Sequence, residues 1–263
     1  MYILCIMDNI KPVICCIAKL EHNYIREFVK YHLSIGFDMI YIYDNEDTPT
    51  YENILKDINN VYVIPYPGKG LQYTTMDCFR KNLMPKDSIT HVINLDCDEF
   101  IVLKKHNNIK EFINEYIKDD CVGIGINWRF FGDSGKQTYT DEPLMKRFTL
   151  CQQYGDQHVK TLFNKNYFKS YNTMHHVFVT YGHIKSTNGT IINSPWNPNI
   201  DLSVIQINHY KTKTLEEFIH IRSRGYADFV NKEENILQSF HSHNCNEVQD
   251  LTAYNYYTKY LQN

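Results

Sequence analysis

Asp96-Cys97-Asp98-Glu99 follows the apolar run His91-Val92-Ile93-Asn94-Leu95, and nowhere else in the chain do residue type and spacing imply chemistry so directly. Carboxylates at i and i+2, delivered to the carboxyl end of a buried strand, place hard oxygen ligands at the edge where α/β sheets hold their ligands. Such close neighbours repel one another unless a cation or a proton sits between them. Mg²⁺ or Mn²⁺ carrying a diphosphate is the cargo that fits. Two other apolar runs end in polar residues, Lys19-Leu20-Glu21 and Asp44-Asn45, and the three ends together outline one crevice. A nucleotide lying across it would find ribose and base partners in Glu21 and Asp44, with its phosphates drawn toward Asp98.

The elements that position these ends can be read from periodicity. Val13 to Ala18 reads as a strand, and Asn23 as the cap of a helix whose apolar positions Ile25, Phe28, Val29, His32 and Leu33 run to Gly36. Met39 to Tyr43 is the next strand, then come a helical stretch around Ile54, Leu55 and Ile58 and the strand Val61 to Ile64. A helix from about Leu71 to Leu83, closed by Pro85, leads into the strand that carries the acidic motif. This alternation predicts an α/β, Rossmann-like fold with a mostly parallel sheet. Downstream, Ile109, Phe112, Ile113, Tyr116 and Ile117 form a helical stripe, and Cys121 to Trp128 a strand. From Arg129 to about Asp201 the pattern is loop-rich, aromatic and dotted with His. Order returns with strand Val204 to Asn208, a helix opened by the capping box Thr214-x-x-Glu217, and an amphipathic segment through Val248, Leu251 and Leu261. The expected organisation is one domain over 1–230 with a helical extension over 231–263.

Bulk properties narrow the function classes. The 263 residues are enough for a full core, and 27 basic against 30 acidic residues give a formal charge of −3, which offers no general attraction for nucleic acid or anionic membranes. Any phosphate must therefore be bound locally. The eight cysteines include no Cys-x-x-Cys pair, and several lie in apolar runs where a reduced thiol packs. The apolar stretches Tyr2 to Met7 and Val13 to Ala18 are split by Asp8-Asn9-Ile10-Lys11-Pro12, so neither spans a bilayer, and a soluble, cytoplasmic protein is expected.

Several ordered blocks carry a resemblance. Lys19-x-Glu21 with Ile25-Arg26-Glu27-Phe28-Val29-x-Tyr31-His32-x-x-x-Gly36, Ile40-x-Ile42-Tyr43-Asp44-Asn45, and Asn94-Leu95-Asp96-x-Asp98-Glu99-Phe100 resemble glycosyltransferase family 92 and its family-2-like relatives. Trp128 with Phe131-Gly132-x-Ser134-Gly135, then Asn208-His209-Tyr210-x-Thr212-Lys213-Thr214-x-Glu216-Glu217-Phe218 with Arg224-Gly225, continue it in order. Lys136 and Ile221 depart from the pattern, standing where a His and a Lys are expected. The resemblance implies a GT-A fold, Mn²⁺ or Mg²⁺, a UDP-sugar donor, a glycan or protein hydroxyl acceptor, and inversion. It assigns the metal to Asp96, Asp98 and His209, and the donor to Lys19, Glu21, Asp44, Asn45, Gln72, Asp96, Lys213 and Arg224. Trp128, Phe131 and Ser134 fall on the acceptor side. Inversion needs a base, for which Asp133 is the first candidate, followed by Glu142 and Asp156.

Rival signals are weaker. Gly132-Asp133-Ser134-Gly135 resembles a serine-protease loop but lacks the partner motifs, and Gly68-Lys69-Gly70 lacks P-loop spacing. His175-His176 and His241-x-His243 lack the Cys pair that would complete a zinc site. A nucleotidyltransferase would also use an acidic metal site on such a sheet, but it wants a Gly-rich basic loop after the first strand. A binder of nucleotide sugars without turnover would keep the same ligands.

Overall fold

The computed structural model describes residues 9–223 and 235–262. The first half alternates as the periodicity predicts. β1 (Pro12–Ala18), α1 (Ile25–Ser34), β2 (Met39–Asp44), α2 (Tyr51–Leu55), β3 (Val61–Pro65), α3 (Gln72–Asn82) and β4 (His91–Asn94) follow one another. Next come β5 (Glu99–Leu103), α4 (Ile109–Tyr116) and the long β6 (Cys121–Phe130). The region read as irregular holds α5 (Leu144–Arg147), β7 (Leu150–Cys151), β8 (Val159–Asn164), β9 (Phe168–Tyr171), β10 (Val177–Val179) and β11 (His183–Lys185). The chain closes with β12 (Ile205–His209), α6 (Leu215–Arg222), α7 (Ile236–His243), β13 (Val248–Gln249) and α8 (Thr252–Tyr260).

One large sheet runs β3-β2-β1-β4-β8-β6-β12-β5, with β11 also paired to β6. The β3-β2-β1-β4 half is parallel, while β8 is antiparallel to β4 and β6, and β5 is antiparallel to β12. Parallel strands are buried on both faces, and β1 shows it: Val13, Ile14, Cys15 and Cys16 are all buried. The helix α1 lays Ile25, Phe28, Val29 and His32 against this sheet. Its first turn has no side-chain cap; the Tyr24 and Ile25 N–H groups donate instead to the Glu21 carbonyl, so Asn23 does not serve as the cap the pattern suggests. The capping box at α6 is present, with Thr214 Oγ1 accepting from Glu217 N and Glu217 Oε2 accepting from Thr214 N.

The 235–262 segment lies on the same body. β13 pairs with β7, Asp250 meets Arg129 at 2.9 Å, and Tyr256 packs against Tyr31. Gly132 allows the close approach of this segment, since a Cβ there would sit 2.5 Å from the Cys245 carbonyl oxygen and the Asn246 side chain. No helix among the described residues is long and apolar enough to cross a membrane. The described cysteines are all free, five of them buried.

Candidate active site

β4 runs parallel to β1 and ends at Asn94, and the next residue, Leu95, still donates its N–H to the Cys15 carbonyl, so the acidic motif emerges at the carboxyl edge of the parallel half. The chain then turns sharply: Glu99 N–H donates to the Asp96 carbonyl, and Asp96 N–H donates to Glu99 Oε2 at 3.0 Å. This turn sends Asp96 and Glu99 toward β8, where the fully buried Lys160 places its Nζ 2.9 Å from Asp96 Oδ2 and 3.3 Å from Glu99 Oε2. Burial opposes charge on Lys160, but Asp96 and Glu99 outweigh it and hold the ammonium above its ordinary value. Burial also pushes the Glu99 carboxyl up, against the pull of Lys160 and with the help of Asp96 and Asp98. Gln72, at the start of α3, donates to Asp96 Oδ1 at 3.0 Å. Beside it a pocket of about 10 Å³, room for a single water, is lined by Cys15, Gln72, Thr75, Asn94, Asp96 and Lys160. The first carboxylate of the motif is thus neutralised and oriented by the protein itself.

Asp98 faces the other way. β12 pairs with both β5 and β6, and its last residue His209 stands opposite Glu99 on one side and Phe130 on the other. Its Nε2 lies 3.6 Å from Asp98 Oδ1, too far for a firm hydrogen bond and close enough for a shared bridging species. The His209 Nδ1 is buried without a partner among the described residues, and burial lowers the ring's basicity while Asp98 opposes the effect. A neutral imidazole and a carboxylate on converging strands suit a hard or borderline cation that keeps phosphate oxygens and water in its remaining positions. Among the described residues no three His, Cys, Asp or Glu side chains gather into a cage. The donor set therefore fits a cation shared with a ligand and held by Asp98 and His209, with Asp96 drawn off toward Lys160.

The remaining expected residues sort into walls and loops. Asp44 is wholly buried, and its carboxylate accepts from the N–H groups of Glu46, Thr50 and Tyr51, so it caps α2. Asn45 donates to the Tyr66 and Gly68 carbonyls and fixes that loop. Lys19 pairs with Asp47 at 2.7 Å, and buried Lys213 lies 3.9 Å from Glu21 Oε2. Arg224 lies outside the described residues. Phe131 is buried and accepts from Thr212 through its carbonyl, while Ser134 Oγ accepts from Thr149 and Leu150 N–H. Asp133 accepts from the Asn244 and Asn246 amides and from Gly135 N–H, which engages both of its oxygens in tying the loop to the C-terminal segment. Glu142 is paired with Lys146 at 2.6 Å.

Around Trp128 the structure assembles three imidazoles and an acid from distant parts of the chain. His158 stacks on the Trp128 ring at 4.9 Å, His209 meets it edge-on at 4.5 Å, and His175 lies at 5.1 Å. Asp156 accepts from His158 at 2.6 Å. Burial first, then Lys160 and the two neighbouring imidazoles, lower His175 to about 2. Lys160 and His158 are the members of this site that the sequence pattern did not single out.

An acidic turn at the carboxyl edge of a half-parallel sheet, facing a strand-end His, defines an α/β protein whose polar site lies at that edge. The family follows from comparison. The profile described as Glycosyltransferase family 92 matches residues 11–251, and the chain belongs to that family, with an α/β architecture built on one large sheet. A glycosyltransferase family 92 protein of Oryza sativa subsp. japonica is 22% identical over 231 residues, covering 85% of this chain and 37% of the rice protein. The chain thus spans little more than a third of that relative's length. Among solved structures, HddC from Yersinia pseudotuberculosis in complex with GMP-PN overlaps at TM-score 0.38 with 11% identity, over 70% of this chain and 93% of that one. S. aureus TarS 1-349 overlaps at TM-score 0.38 with 12% identity, over 89% and 71%.

Proposed function

We propose that the protein transfers a sugar from a nucleoside diphosphate, UDP in the first instance, to a hydroxyl acceptor, with a divalent cation held by Asp98 and His209. The observation that carries this reading is the convergence of these two side chains from the β4–β5 turn and the end of β12. Loss of the diphosphate from the anomeric carbon builds negative charge on its oxygens, and a bound Mn²⁺ or Mg²⁺ supplies Lewis-acid neutralisation there. The chain's own part is to fix the surroundings. Lys160 and Gln72 hold Asp96 in one orientation, Lys213 adds positive charge beside Glu21, and Asp44 and Asn45 shape the nucleotide wall through the backbone they order. UDP as the donor, and inversion at the anomeric carbon, rest on the family's block around Asp44-Asn45 and on its motif.

The test pairs turnover with binding. Diphosphate release is measured with Mn²⁺, a panel of UDP- and GDP-sugars and simple sugar acceptors, and thermal shifts are recorded with UDP, GDP and CMP. UDP with Mn²⁺ should stabilise the protein more than the other two. Asp98→Ala should abolish the Mn²⁺-dependent part without unfolding the protein, and His209→Ala should weaken it less. An Asp98→Ala protein that binds UDP and Mn²⁺ like wild type would overturn the reading.

A further inference from the structure

Both tryptophans of the chain flank one histidine. Trp128 stacks on the His158 ring at 4.9 Å, and Trp196, paired with His158 through a β-bridge, has its ring 5.8 Å away. Asp156 Oδ1 accepts from the His158 backbone N–H at 2.9 Å and lies 2.6 Å from Nδ1. An ionised carboxylate can only accept, so Nδ1 carries the ring hydrogen and Nε2 presents a lone pair. Burial raises the Asp156 carboxyl, but the hydrogen bonds from His158 outweigh it and keep that carboxyl below its ordinary range, so Asp156 is the acceptor of the pair. His158 is more than a third exposed, and through Trp128 and His209 it is joined by ring contacts to Asp98.

A second observation concerns unsatisfied atoms. Trp128 Nε1, His175 Nδ1 and His209 Nδ1 are all buried without a hydrogen-bond partner among the described residues, and all belong to rings packed on one another. Buried polar atoms are seldom left so, and three in one cluster call for a ligand with several hydroxyls. Trp196 meanwhile exposes half of its surface beside them. An aromatic face next to hydrogen-bonding nitrogens matches a pyranose, with its apolar face and ring of hydroxyls.

We infer that His158, oriented by Asp156, takes the proton of the acceptor hydroxyl, and that the acceptor is itself a sugar lying on Trp196. The inference rests on the glycosyl-transfer reading above. In the step, the acceptor O–H gives its proton to His158 Nε2 while the oxygen's electron pair forms the new bond to the anomeric carbon. The bond from that carbon to the diphosphate oxygen breaks, the electron pair leaves with the diphosphate, and His158 afterwards returns its proton to water. Asp156 is a positioning residue: it sets the tautomer and touches no reactant.

The experiment uses the whole chain with Mn²⁺, a UDP-sugar and a panel of methyl glycosides. His158→Ala should lower kcat by about 10²-fold or more with UDP affinity held, and added imidazole should restore part of the loss. Asp156→Asn should also lower kcat, without relief by imidazole. Trp196→Ala should raise the acceptor KM by up to about tenfold and act little on kcat. Wild-type turnover in His158→Ala, or a loss that imidazole does not relieve, overturns the base; an unchanged acceptor KM in Trp196→Ala overturns the sugar platform. A wild-type enzyme that binds UDP yet consumes no UDP-sugar with any glycoside fails one step earlier and removes the transfer reading together with this inference.

Discussion

Lys160 is the residue on which the acidic motif depends. With Asp96 partly open and Glu99 wholly buried, removal of the ammonium would leave two carboxylates facing each other across a buried turn. Breaking such a pair from one side strands the remaining charge, which costs far more than the intact pair contributes. Lys160→Met is therefore expected to destabilise the fold by about 3 kcal/mol, read from urea unfolding, and adding Glu99→Gln should recover part of it. Equal stability of Lys160→Met and wild type would show that Asp96 and Glu99 are satisfied without it. Nothing in the sequence singles this lysine out, because it lies in the stretch 129–201 whose pattern reads as irregular.

At the scale of elements, strand ends were legible and their contacts were not. The alternation of apolar runs with helical spacing located β1 to β4, α1 and α3, and the capping box located α6. β8 escaped because it is buried on both faces and so shows no alternation, although its position between β4 and β6 makes it central. The clustering of Asp156, His158, His175 and His209 about Trp128 arises from the β6–β8 and β6–β12 pairings, which join residues far apart in sequence. Asp44 illustrates the limit well. Its place at the end of β2 could be read, but not that Thr50 and Tyr51 would claim its carboxylate. Asp44→Ala should leave these donors unpaired and cost on the order of 1–3 kcal/mol, seen as a lower Tm in the absence of any nucleotide. A variant with normal Tm and weakened UDP binding would instead assign Asp44 to the nucleotide directly.

The whole molecule carries a built-in acid sensitivity. Burial lowers His32 to about 3, His91 and His243 to about 4, and His175 to about 2, from an ordinary 6.5. His32 shows the cause most plainly: it is wholly buried between α1 and β5, with Nδ1 at 2.9 Å from the Phe28 carbonyl and Nε2 accepting from Ile101 N–H. A group whose folded pKa is depressed takes up its proton first in the unfolded chain, so stability present above about 6.5 is lost as the pH falls toward the folded value. Each such histidine adds a slope of about 1.4 kcal/mol per pH unit between about pH 6 and 4. Urea unfolding across that range should steepen accordingly, and His32→Gln should flatten the slope by one proton; a slope unchanged by the substitution would refute the assignment.

The placement of the only two indoles has a practical consequence. Trp128 is buried among rings and Trp196 is half in water, so the two should emit at different wavelengths, with the redder emission open to an aqueous quencher. Since both border His158, the intrinsic fluorescence of the folded protein is a local gauge of that one cleft. Saccharide occupying it should shield the red component from iodide and leave the blue one bright, which gives a label-free titration for acceptors before any product has been identified.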